Sequence, residues 1–250
     1  MDSPVVLISG ASGGIGQAVA RECARHGARV AVHYNSNAQR AKDLMGSLEG
    51  SGHESFAADI TAPDAVPQLV ESVRQSMGSL DVLVNNAGIS QRHDISAIDY
   101  DAWQSTWRRV VDTNLTAAGN LAFCASQVML EQGGGRIVNV SSRGAFRGEP
   151  MMPWYGASKA GMNAMGQSMA QALSPKGVFV FTVAPGFVET PMAEKILASP
   201  EGENIRAQSP MGRVAQPDEL GNIIRYLALE APEFMTGCIV DLNGASYLRS

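Results

Sequence analysis

Cysteine is scarce in this chain, with three among 250 residues, at Cys23, Cys124 and Cys238. The number is odd, the spacing is wide and no Cys-x-x-Cys occurs, which excludes a disulfide framework and a zinc-finger type of site. The expectation is three buried thiols in a reducing, cytoplasmic setting. Histidine is equally thin. His26, His33, His53 and His93 lack metal-ligand spacing, so no metal is expected. No apolar run approaches the ~18 residues of a membrane span, so no membrane partner is expected. Residues 1–9 carry an early acid and no basic segment, which argues against a signal peptide. Clusters of Lys and Arg are missing as well. The chain holds 19 basic against 24 acidic side chains, a net charge of −5. Binding to a polyanion needs the reverse, so nucleic acid is not an expected partner. What is present, 45% apolar and 17% charged residues, belongs to a globular protein.

No linker or internal repeat divides the chain. Short β-branched runs alternate with longer amphipathic stretches. The strands are expected at Val5–Ser9, Val30–Tyr34, Ser55–Ala58, Val82–Asn85, Arg136–Val140, Val178–Val183 and Ile239–Leu242. Several are apolar on both faces, as in a parallel sheet covered on both sides. Helices are expected at Ile15–His26 with Gly27 as its C′ residue, and at Ala38–Leu48. A third is expected from a Thr61/Asp64 capping box to Met77, and a long one from Tyr100 to Leu130. Tyr155–Leu173 and Pro217–Leu229 complete the set. Repeated β-α order implies an α/β fold, a Rossmann-type doubly wound parallel sheet of about seven strands with helices on both faces. The whole of 1–250 reads as a single domain that is both dinucleotide-binding and catalytic. Ligands of such sheets bind beyond the carboxyl ends of the strands.

The first strand runs into Ser9-Gly10-Ala11-Ser12-Gly13-Gly14-Ile15-Gly16, which opens the first helix. Glycines let the backbone approach a diphosphate, and the helix start offers free N–H groups. The bland alternative is a tight turn with close helix packing. After the second strand comes Tyr34-Asn35-Ser36. An acid at the position of Tyr34 would accept the ribose hydroxyls of NAD. None is there, whereas Asn35, Ser36 and Arg40 suit a 2′-phosphate. NADP is therefore expected, with NAD as the alternative.

The fifth strand ends at Ser141-Ser142, and 13 residues later Tyr155-Gly-Ala-Ser-Lys159 opens a helix. Tyrosine and lysine at i and i+4 share a helix face. A tyrosine ordinarily titrates near ~10 and is a poor acid–base catalyst at neutrality. A nearby ammonium is expected to lower that value, fitting Tyr155 for proton exchange with a carbonyl or alcohol oxygen. Ser142 is placed to hydrogen-bond the same oxygen. The alternative is a packed tyrosine beside a solvated lysine.

These residues together resemble the short-chain dehydrogenase/reductase family over essentially the full length. The glycine turn resembles the family's cofactor turn, with Ser9 where threonine is usual. Asp59-Ile60 resembles its adenine-contacting pair, and Asn85-Asn86-Ala87-Gly88 its strand-four motif. Asn114 in Asp-Thr-Asn-Leu, with Ser142, Tyr155 and Lys159, matches its catalytic tetrad. Pro185-Gly186, Val188 and Thr190 match the segment that meets the nicotinamide. The resemblance implies cofactor contacts at Gly10, Ser12, Gly13, Gly14, Ile15, Gly16, Tyr34, Asn35, Ser36, Asp59, Ile60, Asn86, Ala87, Gly88, Pro185, Gly186, Val188 and Thr190, and at Tyr155 and Lys159. It implies Tyr155 as general acid, Lys159 on the nicotinamide ribose and lowering the tyrosine pKa, Ser142 on the substrate carbonyl and Asn114 holding a water that links Lys159 to bulk solvent. It also implies a homo-oligomer, commonly a tetramer.

Within that family the chain is most similar to 3-oxoacyl-(acyl-carrier-protein) reductases, through Asp241–Tyr247 and Val183–Thr190. Where those reductases place arginines that dock the acyl carrier protein, this chain has Gly133 and Gln171. The activity implied is NADP(H)-dependent reduction of a ketone or 3-oxoacyl thioester to a secondary alcohol. An NAD-dependent alcohol, polyol or sugar dehydrogenase, or a non-catalytic dinucleotide sensor, would share the motifs. Gln91, Arg92, His93, Arg143, Phe146, Arg147, Met151, Met152, Trp154, Phe187 and Met192 are expected near the substrate, beneath a lid at residues 191–211. Arg143 or Arg147 is a candidate for receiving an anionic group, the alternative being an arginine in solvent or in a subunit contact.

Overall fold

Strand β1 (Val5–Ile8) is buried at every position, with Val6 and Ile8 in one apolar cluster and Val5 and Leu7 in another. Alternate side chains of a strand point to opposite faces, so β1 separates two cores. A computed structural model describes residues 3–249 and shows what covers each face. On one side lie α1 (Gly14–Arg25) and α10 (Pro217–Leu229), through Val19, Cys23, Leu220, Ile224 and Leu227. On the other lie α3 (Ala65–Met77) and α5 (Ala117–Gln132), through Val66, Leu69, Val73, Leu121 and Met129.

The remaining strands are β2 (Arg29–Tyr34), β3 (Glu54–Ala57), β4 (Val82–Asn85), β5 (Gly135–Val140), β6 (Val178–Pro185) and β7 (Ile239–Leu242). They form one sheet in the order β3-β2-β1-β4-β5-β6-β7, every pair parallel. β1 pairs with both β2 and β4, so the strand order reverses there and opens a crevice at the carboxyl ends. The other helices are α2 (Ala38–Met45), α4 (Tyr100–Val111), α6 (Gly144–Arg147), α7 (Pro153–Leu173), α8 (Glu194–Leu197) and α9 (Glu201–Ala207).

Most expected elements are present, with ends mostly displaced by a residue or two; α2 stops three residues short of Leu48, at Met45. Four differences have physical causes. The long stretch from Tyr100 is not one regular helix: a π-turn at Asp112–Thr116 separates α4 from α5. The Thr61/Asp64 capping box does not form. Thr61 turns back instead, its N–H and hydroxyl both donating to Asp59 Oδ1 at 3.0 and 2.7 Å, and Asp64 makes no side-chain cap bond. A true capping box stands at α10, between Gln216 and Glu219. β6 runs on to Pro185, since a terminal strand position has no ladder donor to lose there. Finally, only Cys23 is buried; Cys124 and Cys238 are half-buried. Burial pushes the Cys23 thiol up to about 12, so it is inert packing.

Candidate active site

The glycine turn is braced from three sides. Gly10 has φ +63°, in the left-handed region, and a Cβ there would lie 3.0 Å from Ala87 Cα. Only glycine allows this conformation and this approach together. Ser9 Oγ accepts from the N–H groups of Asn86 and Ala87, both at 3.0 Å. Asn86 Nδ2 donates to the carbonyls of Ser9 and Gly10 at 2.9 and 3.1 Å. The third brace is His33, which the motifs did not single out. Its Nδ1 accepts from Gly10 N–H at 3.0 Å, and its Nε2 lies 3.1 Å from Ala58 O. Nδ1 is therefore bare and Nε2 carries the proton. Burial pulls the His33 pKa below its ordinary value, which keeps the ring neutral. Strand register held the available clue: Val32 pairs with Ile8, so the next residue stands level with the turn.

Helix α1 is preceded by Gly13 at the N-cap, which offers no side-chain cap and leaves the first N–H groups beside a cavity of about 630 Å³. Gly10, Ser12, Gly13, Gly14, Ile15, Asn35, Ser36, Asp59, Ile60, Asn86, Ala87, Gly88 and Thr190 stand on its walls, with Arg40 and Arg109. Two expected contacts are elsewhere. Gly16 is buried beneath the turn, where a Cβ would come 2.5 Å from Gly10 O. Tyr34 packs against the core cluster shared by α1 and α10 rather than lining the cavity. The cavity-lining residues after β2 are thus Asn35, Ser36 and Asn37, with Arg40 on the first turn of α2.

A second cavity, of about 420 Å³, is lined by Ser142, Tyr155, Lys159, Pro185, Gly186 and Val188. It shares Ile15, Asn86, Gly88, Thr190 and Met192 with the first, so the two are continuous. Tyr155 and Lys159 project from the first turns of α7. Lys159 is buried, donates to Val140 O at 2.7 Å, and holds Nζ 5.9 Å from the centre of the Tyr155 ring. Asn114, in the π-turn, lies behind this wall. It accepts from Ile89 N at 2.8 Å and donates to Ile89 O at 2.9 Å and Ser158 Oγ at 3.2 Å. Such bulges are frequent at functional positions. A helix-period reading of residues 100–130 hides this one.

The electrostatics depart from expectation. Burial raises the Tyr155 pKa above its ordinary value; a hydrogen bond with Ser142 works against that, and the Glu149 carboxylate adds to it. The protein by itself therefore holds Tyr155 as the neutral phenol. Burial pulls the Lys159 ammonium down to about 8.

Of the residues expected near the substrate, Arg92, Arg143, Met152, Phe187 and Met192 reach the second cavity. Trp154 does not: it is fully buried, donates to Gln91 O at 2.8 Å and packs edge-on against His93. Gln91, His93 and Trp154 thus back the wall. Met151 belongs with them, its carbonyl accepting from His93 N at 3.0 Å. Phe146 lies under the Arg249 guanidinium. Glu149 and Lys195 line the cavity although nothing in their local sequence marks them. Over the cavity, α8 and α9 pack through Leu197 and Ile205 on Val214.

A family model described as Enoyl-(Acyl carrier protein) reductase matches residues 10–244. The chain is 34% identical over 244 residues to a 3-oxoacyl-[acyl-carrier-protein] reductase FabG of Staphylococcus aureus, covering 97% of both chains. It is 34% identical over 247 residues to the 3-oxoacyl-[acyl-carrier-protein] reductase of Synechocystis, covering 98% of this chain and 97% of the other. Among solved structures, gox2181 superposes with a TM-score of 0.91 at 31% identity, over 98% of this chain and 96% of that one. A putative gluconate dehydrogenase from Agrobacterium tumefaciens gives 0.91 at 27% identity, over 97% and 95%.

Proposed function

As the chain belongs to the short-chain dehydrogenase/reductase family, an oxidoreductase family acting on CH–OH groups with NAD(P), we propose that it reduces a ketone or 3-oxoacyl thioester to a secondary alcohol with NADP(H). One observation carries the reading: Ser142, Tyr155 and Lys159 meet on the wall of a cavity continuous with the glycine-turn cavity. The uncapped start of α1 and the cradle at Gly10 fit a dinucleotide diphosphate. When bound, the reduced nicotinamide supplies the hydride that adds to the carbonyl carbon. Tyr155 gives its phenolic proton to the carbonyl oxygen, which Ser142 holds in place. The raised Tyr155 pKa suits this direction, because the acid form is present at neutral pH. Lys159 holds a positive charge beside the forming phenolate, and Asn114 fixes the backbone next to it.

The sign of the Lys159 shift sets a pH dependence. Its ammonium is charged below about 8 and lost above it. kcat/KM reports groups of the free enzyme, so reduction is expected to fall above about pH 8. Lys159→Arg keeps the charge, so its decline should move to higher pH. A break left in place in that variant would assign the titration to another group.

Asn35, Ser36 and Arg40 support NADP over NAD, and the one acid on the same cavity wall, Asp59, has its Oδ1 engaged by Thr61. The test follows nicotinamide absorbance with acetoacetyl-CoA, giving NADPH and NADH in parallel. NADPH is expected to be preferred, and Arg40→Glu should cut that preference about tenfold, by removing a charge-assisted contact. Preference for NADH, or an indifferent Arg40 variant, would retire the NADP assignment.

Residues 191–211 act in this reading as a lid over the substrate. The exposed apolar surface of α5 at Phe123 supports self-association, as in a homotetramer. Docking of an acyl carrier protein has less support. Gly133 ends α5 at φ +90°, a conformation arginine adopts reluctantly, and Gln171 is uncharged. The likeness to a putative gluconate dehydrogenase favours one second reading, oxidation of a polyol or sugar acid at the same site.

A further inference from the structure

Arg143 follows Ser142 directly and is 3% exposed, yet it lines the substrate cavity. Its backbone N–H donates to Pro185 O at 2.8 Å, which ties the residue to the end of β6. The guanidinium lies over the Phe187 ring, 5.1 Å from its centre. Nη2 donates to Gln208 Oε1, from the lid segment. Among the described residues the other guanidinium N–H groups meet no protein acceptor, and the residue borders both the substrate cavity and a smaller one lined by Ser209, Met211 and Asn243. No carboxylate lies within 4.0 Å of Arg143 among the described residues. The nearby acid, Glu149, is engaged by Arg147 at 4.0 Å.

A buried guanidinium with one neutral partner is costly, because desolvation is not repaid by a counter-charge. Burial correspondingly lowers the Arg143 pKa, the Arg147 charge lowers it further, and the Glu149 carboxylate works against both. Glu149 is the one acid on the cavity wall, and it is paired with Arg147 rather than with Arg143. Arg92 and Lys195 are its other charged walls beyond Lys159 and Glu149. Two parallel N–H donors are the geometry that a carboxylate accepts in bidentate fashion.

From this guanidinium without a paired carboxylate, one residue away from Ser142, we infer that Arg143 is a specificity determinant that receives the carboxylate of the substrate. The preferred substrate class is then a short oxo acid, reduced to the hydroxy acid. The inference rests on the reductase reading and narrows it. The bond changes are those already described: the carbonyl carbon gains hydride from the reduced nicotinamide, which leaves oxidised, and the oxygen gains the Tyr155 proton. The carboxylate itself is unchanged. Gln208 links the same guanidinium to the lid, so an acid bound here lies under the segment that covers the site.

The test uses acetoacetate, levulinate and 5-oxohexanoate, each against its methyl ester, with NADPH. In the unmodified protein at least one acid should exceed its ester about tenfold or more in kcat/KM, the scale of one charge-assisted contact. That ratio should fall toward one in Arg143→Gln and be partly kept in Arg143→Lys. In parallel, the melting temperature of the NADP⁺ complex should rise with the preferred acid and not with its ester. This readout needs neither a variant nor turnover. Esters reduced as well as acids, with no acid-dependent rise, overturn the Arg143 inference and leave the reductase reading in place. An acid-dependent rise without any turnover supports the carboxylate site and retires the reductase reading. Neither rise nor turnover overturns both.

Discussion

Tyr155→Phe is expected to lower carbonyl reduction by ~10²–10⁴-fold, the usual worth of a positioned general acid, while NADPH binding persists. The substitution removes the phenolic oxygen on the cavity wall shared with Ser142 and keeps the half-buried ring at the start of α7. Packing is thus preserved and the proton donor is lost. The raised pKa makes the prediction sharper. A phenol held neutral by burial is not replaced by a water that merely wanders into the site, because water alone has no fixed position against the carbonyl. Single-turnover oxidation of bound NADPH would report the chemical step, and nicotinamide fluorescence the affinity. Turnover within a few-fold of the unmodified protein, with affinity unchanged, would assign the proton to another group.

The largest effect on stability is expected one residue earlier. Trp154 has no exposed surface, donates to Gln91 O at 2.8 Å and meets Trp103 edge-on at 5.4 Å between ring centres. Trp154→Ala opens a void that the surrounding aromatic cluster cannot close and leaves the Gln91 carbonyl without its donor. The cost is ~3–5 kcal/mol, which for a chain of this size is on the order of 10 °C in Tm. Trp154→Phe fills most of the space and should lose much less. Thermal unfolding of both variants decides the matter. A loss below about 1 kcal/mol for the alanine variant would mean that this wall is looser than its packing indicates. The same variant should reduce kcat, since the backing of the wall also fixes the first turn of α7.

Much of the fold was legible locally. β-branched runs with two apolar faces identify strands of a covered parallel sheet, and the glycine run after β1 identifies the turn that opens α1. Those signals lie within a few residues of each other, so they survive without tertiary context. Thr61 and Asp64 stand at the spacing of a capping box for α3, but Asp59, two residues before Thr61, competes for the same hydroxyl and wins. Tyr34 was assigned to the ribose by distance along the chain. Its side chain instead joins the core cluster, and the face that remains belongs to Asn35, Ser36 and Arg40.

By itself, then, the amino-acid order determined the layered α/β architecture, the nucleotide-type turn and the residues Asn114, Ser142, Tyr155 and Lys159 as one candidate set. Periodicity, turn chemistry and short spacings carry the architecture, the turn and the grouping of Ser142, Tyr155 and Lys159; Asn114 joins them through the family resemblance. The tertiary structure alone decided the charge states and the unsatisfied groups. Tyr155 is pushed up rather than down because burial outweighs its neighbours. Arg143 is isolated because Gln208, 65 positions away, is its side-chain partner and Glu149 is held by Arg147. Desolvation and hydrogen-bond satisfaction depend on what surrounds a group in space, and no local pattern in the chain records it.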